Sequence, residues 1–298
     1  MKVKERLKTK LEECRQALQI HGGPINLCAA SLGVRLSRLP IPSRRLRCAL
    51  YRKLYGKKYP PLDESELEHS LGSYRSLNAL FTRGIRPELR PIAQTDHQIL
   101  CPCDGMVQDI GRLVDGKLLT VKGIEYTASS LLAGTNARAF QDGHYAIIFL
   151  SPRDCHRVFS PHDGYCRQII HVPGYRLLVH PPFQRREFPT FTLNERIILN
   201  LSTRLGQCAL ILVAGWGVGS IALHLEPTLR DKKRFGPRAR TLMYQPVPPV
   251  AVTKGQWIST FELGSTAILL FERKSAVKLE VGAPEQVRYG QPLFTCLD

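Results

Sequence analysis

The chain has 298 residues, 43% of them hydrophobic, which is enough to bury a core and excludes wholesale disorder. Its 42 Lys plus Arg stand against 25 Asp plus Glu, a net charge of +17, and the excess is concentrated: residues 1–60 hold fifteen basic side chains against Glu5, Glu12 and Glu13, or +12, leaving +5 for the other 238. That asymmetry predicts a basic segment meeting an anionic surface, attached to an ordinary globular body.

Val3, Leu7, Leu11, Cys14 and Leu18 recur at helical spacing until Gly22-Gly23-Pro24 ends the run. Ile25, Cys28, Ala29, Leu32 and Leu36 repeat the pattern, and so do Leu46, Ala49, Leu50 and Leu54 behind Ser43, a predicted N-cap. Three short basic amphipathic helices fit either helices packed on a core or helices lying on anionic lipid, and the charge favours lipid. No recognisable nucleic-acid reading motif appears in the chain, so nucleic acid is not the expected partner. Further helices are predicted over 64–70, 77–82 and 128–132. After Pro91 the pattern turns to short apolar or alternating runs: 144–150, 166–172, 196–201, 209–214, 217–225, 258–263, 266–272 and 276–281. Many short strands without long intervening helices predict an α+β fold with mainly antiparallel sheet.

Nine cysteines, an odd number without CxxC spacing, indicate neither a disulfide scaffold nor a metal site, so a reducing compartment is expected. No stretch approaches the roughly 18 apolar residues of a spanning helix, and the N-terminus lacks the apolar region of a signal peptide. The expectation is a peripheral membrane protein.

Three places could carry chemistry. His156 follows an apolar strand in Ser151-Pro152-Arg153-Asp154-Cys155-His156, where a strand end can reach a pocket. Asp104, in Cys101-Pro102-Cys103-Asp104-Gly105, reads on its own as a residue capping its turn. Gly264-Ser265-Thr266 joins two β-type runs. It reads as a glycine bulge in a hairpin, or as a site where the Ser265 oxygen attacks the Gly264 carbonyl, shifts the peptide to an ester and cleaves it.

Taken together, Phe81 to Pro91, Cys101 to Val107, Tyr126 to Gly134, Leu150 to Val158, Pro173-Gly174, Asn194 to Ile197, Val218 to Ile221 and Leu263 to Thr266 resemble the ordered motifs of phosphatidylserine decarboxylases, in the membrane-associated type with a Leu-Gly-Ser-Thr cleavage site. The resemblance runs from about residue 73 to the C-terminus. It implies a proenzyme that cuts itself between Gly264 and Ser265 into a β chain, 1–264, and an α chain, 265–298, which stay together as a heterodimer. It also implies a covalent pyruvoyl cofactor made from Ser265, phosphatidylserine as substrate and phosphatidylethanolamine as product, with homodimers common in the family. Asp104 matches the family's self-cleavage triad and His156 the histidine associated with decarboxylation.

One position departs. The triad base of the resembling family falls at Phe159, which cannot accept a proton. Three readings stay open: His162 substitutes, His156 serves both steps, or the chain is an unprocessed lipid-binding homologue. His180, where the family more often has Asn, is a milder departure. The expected organisation is a basic helical membrane-docking region, 1–95, followed by a β-rich, barrel-sandwich-like catalytic domain, 96–298, at the cytoplasmic face of the cell membrane.

Overall fold

The computed structural model describes residues 32–33, 35–56, 61–119, 123–180, 184–215, 220–226, 240–262, 265–272 and 276–297. The first expected helix, most of the second, and Leu263 and Gly264 lie outside the described residues. The third helix forms as α1 (Arg44–Tyr55), with the Ser43 hydroxyl accepting from the Leu46 N–H. Its leucines are not what it buries. Tyr51 and Tyr55 pack with Leu67, Leu71, Tyr74 and Leu80, and the Tyr51 hydroxyl donates to the Tyr74 carbonyl at 2.9 Å, so a large ring is buried with its polar tip satisfied. Leu46 and Leu54 remain 59% and 44% exposed.

The helix expected over 64–70 is corrected to a single 3-10 turn, Glu64–Glu66, because Leu67 leaves it to bridge Ile85; a second turn follows at Leu71–Ser73. The next two helices form as expected: α2 (Leu77–Phe81), capped by Ser76, and α3 (Ala128–Leu131), closed by a reciprocal Thr127–Ser130 capping box. A short α4 (Thr190–Leu193) was not foreseen.

The strands are β1 (Gln98–Leu100), β2 (Gly105–Arg112), β3 (Lys117–Leu119), β4 (Glu125–Thr127), β5 (His144–Leu150), β6 (Arg157–Phe159), β7 (Gly164–Val172), β8 (Arg196–Thr203), β9 (Gly206–Ala214), β10 (Ser220–Leu223), β11 (Leu242–Tyr244), β12 (Val250–Val252), β13 (Trp257–Glu262), β14 (Ser265–Phe271), β15 (Ala276–Leu279), β16 (Glu285–Val287) and β17 (Pro292–Leu297). The main sheet runs β11-β7-β8-β9-β14-β5-β2-β16, with β12 also on β7, and its pairings are antiparallel. This bears out the α+β reading. Among the described residues the sheet is open, since β11 and β16 do not pair, so the barrel part of the expectation is corrected.

β14 lies between β5 and β9 and is buried along its whole length. Ala267, Leu269 and Phe271 face a core shared with the smaller sheets β10-β13-β6 and β1-β17-β15, whereas Ile268 and Leu270 face a second core under α3 and α4. Burial on both faces is why this strand reads as an unbroken apolar run. Each large aliphatic side chain so buried stabilises the fold by about 1.5–3 kcal/mol.

Candidate active site

β13 ends at Glu262 and β14 begins at Ser265. Ser265 pairs with Leu150 of β5 on one side and Ala214 of β9 on the other. By the two-residue alternation its side chain faces the same core as Ala267, between the main sheet and β10-β13-β6. It is fully buried, and among the described residues its hydroxyl has no hydrogen-bond partner. A buried polar atom left unpaired costs about 1–3 kcal/mol, which marks this serine as unusual for a core position.

Residues 151–156 connect Leu150, the cross-strand partner of Ser265, to His156, whose carbonyl accepts the Phe261 N–H at 2.9 Å. This loop therefore flanks both ends of the β13–β14 junction. It is braced by Asp154, whose carboxylate accepts from the Ser151 N–H at 2.7 Å and from Gln286 at 3.1 Å. His156 has no exposed surface, and its ring centroid lies 3.9 Å from that of Phe81. Its Nδ1 sits 2.9 Å from the Asp154 carbonyl. A carbonyl only accepts, so Nδ1 carries the hydrogen and Nε2 presents a lone pair, which has no partner among the described residues, the Ser265 hydroxyl included. Burial first, then the charge of Arg83, push this ring down to about 3, so it is neutral at physiological pH.

Asp104 occupies the expected tight turn. Gly105 is required there, because a Cβ would stand 2.5 Å from the Phe149 carbonyl oxygen. The Asp104 carboxylate is 4% exposed and takes Arg90 Nε at 3.1 Å, Arg90 Nη2 at 2.7 Å and the Tyr289 N–H at 2.9 Å. Burial raises this carboxyl above its ordinary value, opposed by Arg90 and the Tyr289 N–H. Arg90 also reaches Glu66 at 3.1 Å. The Tyr289 amide is presented by a turn in which Gly290 has φ +87° and a Cβ there would meet Ile92 at 2.7 Å.

Phe159 stacks on Tyr289, centroids 3.9 Å apart and planes 17° apart, in a cluster with Ile85 and Cys155. Phe159 thus packs on the residue whose N–H reaches Asp104; apolar packing fills position 159, and Arg90 holds the carboxylate. The His162 ring nitrogens face the carbonyls of Asp163 and Asp96 at 2.9 and 3.1 Å. A cleft of about 230 Å³ opens beside Asp104, lined in part by Glu66, Arg90, Arg153, Asp154 and Gln286; Ser265 and His156 do not line it. We therefore take the buried Ser265 and His156, not this cleft, as the site.

Other residues near the site escaped single-residue reading. Asn194 accepts from the Leu177 N–H and donates to the Leu177 and Ala214 carbonyls, fixing the β9 residue beside Ser265. Glu195, 2% exposed, accepts from Arg176 at 2.8 Å and lies 3.1 Å from His171 Nε2. Both fall in the Asn194 to Ile197 motif, and Arg83 and Arg90 fall in the Phe81 to Pro91 motif, so membership in a motif was the only signal available.

Residues 77–295 match the family model described as phosphatidylserine decarboxylase. The chain is 36% identical over 258 residues to the phosphatidylserine decarboxylase proenzyme of Anaeromyxobacter sp. (strain K), covering 86% of this chain and 89% of that protein. The chain belongs to the phosphatidylserine decarboxylase family. The proenzymes of Pseudomonas putida (strain F1 and others), 36% identical over 248 residues, and of Nitrosococcus oceani, 34% over 251, extend the likeness over 80% and 83% of the chain. Family membership places the chain among the carboxy-lyases, and the word proenzyme in those names fits a chain whose candidate nucleophile is sealed in a core.

Proposed function

We propose that the chain decarboxylates phosphatidylserine to phosphatidylethanolamine and carbon dioxide after cutting itself between Gly264 and Ser265. The observation that carries this reading is the fully buried, unpartnered Ser265 hydroxyl at the head of β14 in a chain of this family. In this reading Ser265 Oγ gives its proton to His156 Nε2 and adds to the Gly264 carbonyl carbon; the C–N bond breaks, and the amine of residue 265 takes the proton. A base then takes the Cα proton of residue 265 as the Cβ–O bond of the ester breaks and the carboxylate of Gly264 leaves; the resulting dehydroalanine becomes an imine, whose hydrolysis by water frees ammonia and leaves a pyruvoyl group at residue 265.

Ser265, the precursor, fits that group: it is buried and flanked by Leu150 and the small Ala214. The pyruvoyl group supplies an electron-accepting carbonyl for the carbanion formed as carbon dioxide leaves. The chain's own residues exclude water through the Phe261, Val158 and Leu150 wall, hold residue 265 on two neighbouring strands, and move protons at His156 Nε2.

The helical part, 1–95, would dock this site on anionic lipid at the cytoplasmic face of the membrane. The tyrosines of α1 face inward, leaving Leu46 and Leu54 exposed among Arg44, Arg45 and Lys53, and each basic residue near such a surface adds about 1 kcal/mol. No described helix is long and apolar enough to cross a membrane. The two chains would remain a heterodimer.

A second reading, an unprocessed lipid-binding homologue, is favoured by one observation: the Phe159–Tyr289 stack occupies the expected base position. A denaturing gel with intact mass, and phosphatidylethanolamine formation on liposomes containing phosphatidylserine, separate the two. The proposed function expects a fragment of 34 residues, from 298 less 264. An uncut chain without product overturns it in favour of the second reading.

A further inference from the structure

Arg83 follows α2 and is 1% exposed, among the largest fully buried side chains. Its Nη1 donates to the Leu80 carbonyl at 3.2 Å and its Nη2 to the Arg153 carbonyl, while Nε has no partner among the described residues. No described carboxylate pairs with it: Glu66 and Asp104 are held by Arg90, Glu68 by Arg157 and Glu195 by Arg176. Arginine keeps its charge in proteins, and a buried charge ordinarily has an opposite charge beside it. Here it stands alone.

Its guanidinium and the His156 ring are held on successive carbonyls of one loop, those of Arg153 and Asp154, and the Cys155 thiol donates to the Arg83 carbonyl at 3.6 Å. The ionisable groups facing His156 from the elements packed against it are therefore few. Arg83 comes from the segment after α2, and Asp154 and Cys155 from its own loop. α2 contributes Phe81 and β13 contributes Phe261, neither ionisable. The Asp154 carboxylate is turned to Ser151 and Gln286, and Glu262, on the other face of β13, is taken by Arg38. A protonated His156 would put two cations into one buried site in which no described carboxylate pairs with either, Asp104, whose charge also reaches Cys155, being held by Arg90.

We propose that Arg83 is a positioning residue: left without a described counter-ion, it keeps His156 an uncharged imidazole whose Nε2 lone pair stays open. Through the Arg153 carbonyl it also fixes the loop that carries His156. The low proton affinity of the buried ring has the direction this arrangement requires. The consequence for self-cleavage rests on the function proposed above; the charge state of His156 does not.

The test separates charge from hydrogen bonding. Arg83→Gln keeps an amide donor for the two carbonyls and deletes the charge, and Arg83→Lys keeps the charge. Full-length protein of each kind, in a Ser265→Ala background so that processing cannot differ, is labelled with 13C at the histidine rings and titrated by NMR, the His156 signal being assigned by its loss in His156→Gln. His156 in Arg83→Gln is expected to bind a proton at least about tenfold more tightly than in the parent, with Arg83→Lys close to the parent. With Ser265 restored, self-cleavage in Arg83→Gln falls off toward acid pH where Arg83→Lys does not. An unchanged His156 titration in Arg83→Gln, an equal change in Arg83→Lys, or failure of Arg83→Gln to fold each overturns the proposal. If the parent never cuts itself, the function proposed above falls and the NMR titration still decides the role of Arg83.

Discussion

Replacing Arg90 by Met removes the partner of a carboxylate that is almost wholly out of water. Asp104 would keep the Tyr289 N–H and lose three contacts of 2.7–3.1 Å to the guanidinium. Breaking one side of a buried ion pair costs about 3–5 kcal/mol, because the surviving charge stays desolvated. The Glu66 contact adds little, since Glu66 is a quarter exposed and retains Arg288 at 3.4 Å. Asp104→Asn in the same chain removes the stranded charge, so the double variant should be less destabilised than Arg90→Met alone, with a coupling of at least about 1 kcal/mol. The sign with pH follows from burial, which already raises this carboxyl. Without Arg90 it rises further, and a raised carboxyl favours the fold at low pH and loses that favour as pH climbs through its folded value. Urea unfolding of Arg90→Met should therefore show a deficit that shrinks from pH 7 toward pH 4. A loss under about 1 kcal/mol at pH 7, or additive single and double variants, would refute the reasoning.

Other expectations are independent of that pair. His156 is buried neutral with its folded value lowered to about 3, so stability it contributes above the ordinary histidine value is lost as pH falls from about 6.5 toward 3; His156→Gln should flatten that acid limb in a thermal melt and abolish self-cleavage by intact mass. His162→Ala should cut itself at close to the normal rate, because the neutral ring spends its one N–H on a neighbouring carbonyl, while losing about 1 kcal/mol in urea. Leu46→Glu with Leu54→Glu should leave the melting temperature within a degree or so and weaken co-sedimentation with anionic liposomes several-fold, since neither side chain is buried.

What the sequence disclosed follows burial. β5, β8, β9 and β14, apolar on both faces, were legible as runs, and their ends moved by no more than three residues. β2, β6, β16 and β17 were not, since they are short or mix polar residues, Gly or Pro with apolar ones and are held in register by partners such as β13, β2, β5 and β1 elsewhere in the chain. The leucine spacing of α1 was legible, but the face it buries was not, because Tyr51 outbids Leu46 by bringing a hydroxyl that reaches the Tyr74 carbonyl. In the site, Ser265, His156 and Asp104 came from motifs. That Arg90, itself in a motif, and Tyr289 hold Asp104 was not legible, because they are fourteen and 185 residues away in sequence. Phe159 was visible as a missing base but not as half of an aromatic stack.

The strands beyond residue 264 are dealt out across the molecule. β14 is threaded through the middle of the main sheet, β16 closes one of its margins, and β17 sits between β1 and β15. A backbone break ahead of Ser265 would thus free an end without freeing a piece: the short chain would stay laced to β1, β2, β5 and β9 by ladders that can come apart only when the whole body unfolds. The cut form should behave as one object in sedimentation and as two only in denaturant, and its new terminus would be anchored from birth at the centre of the sheet.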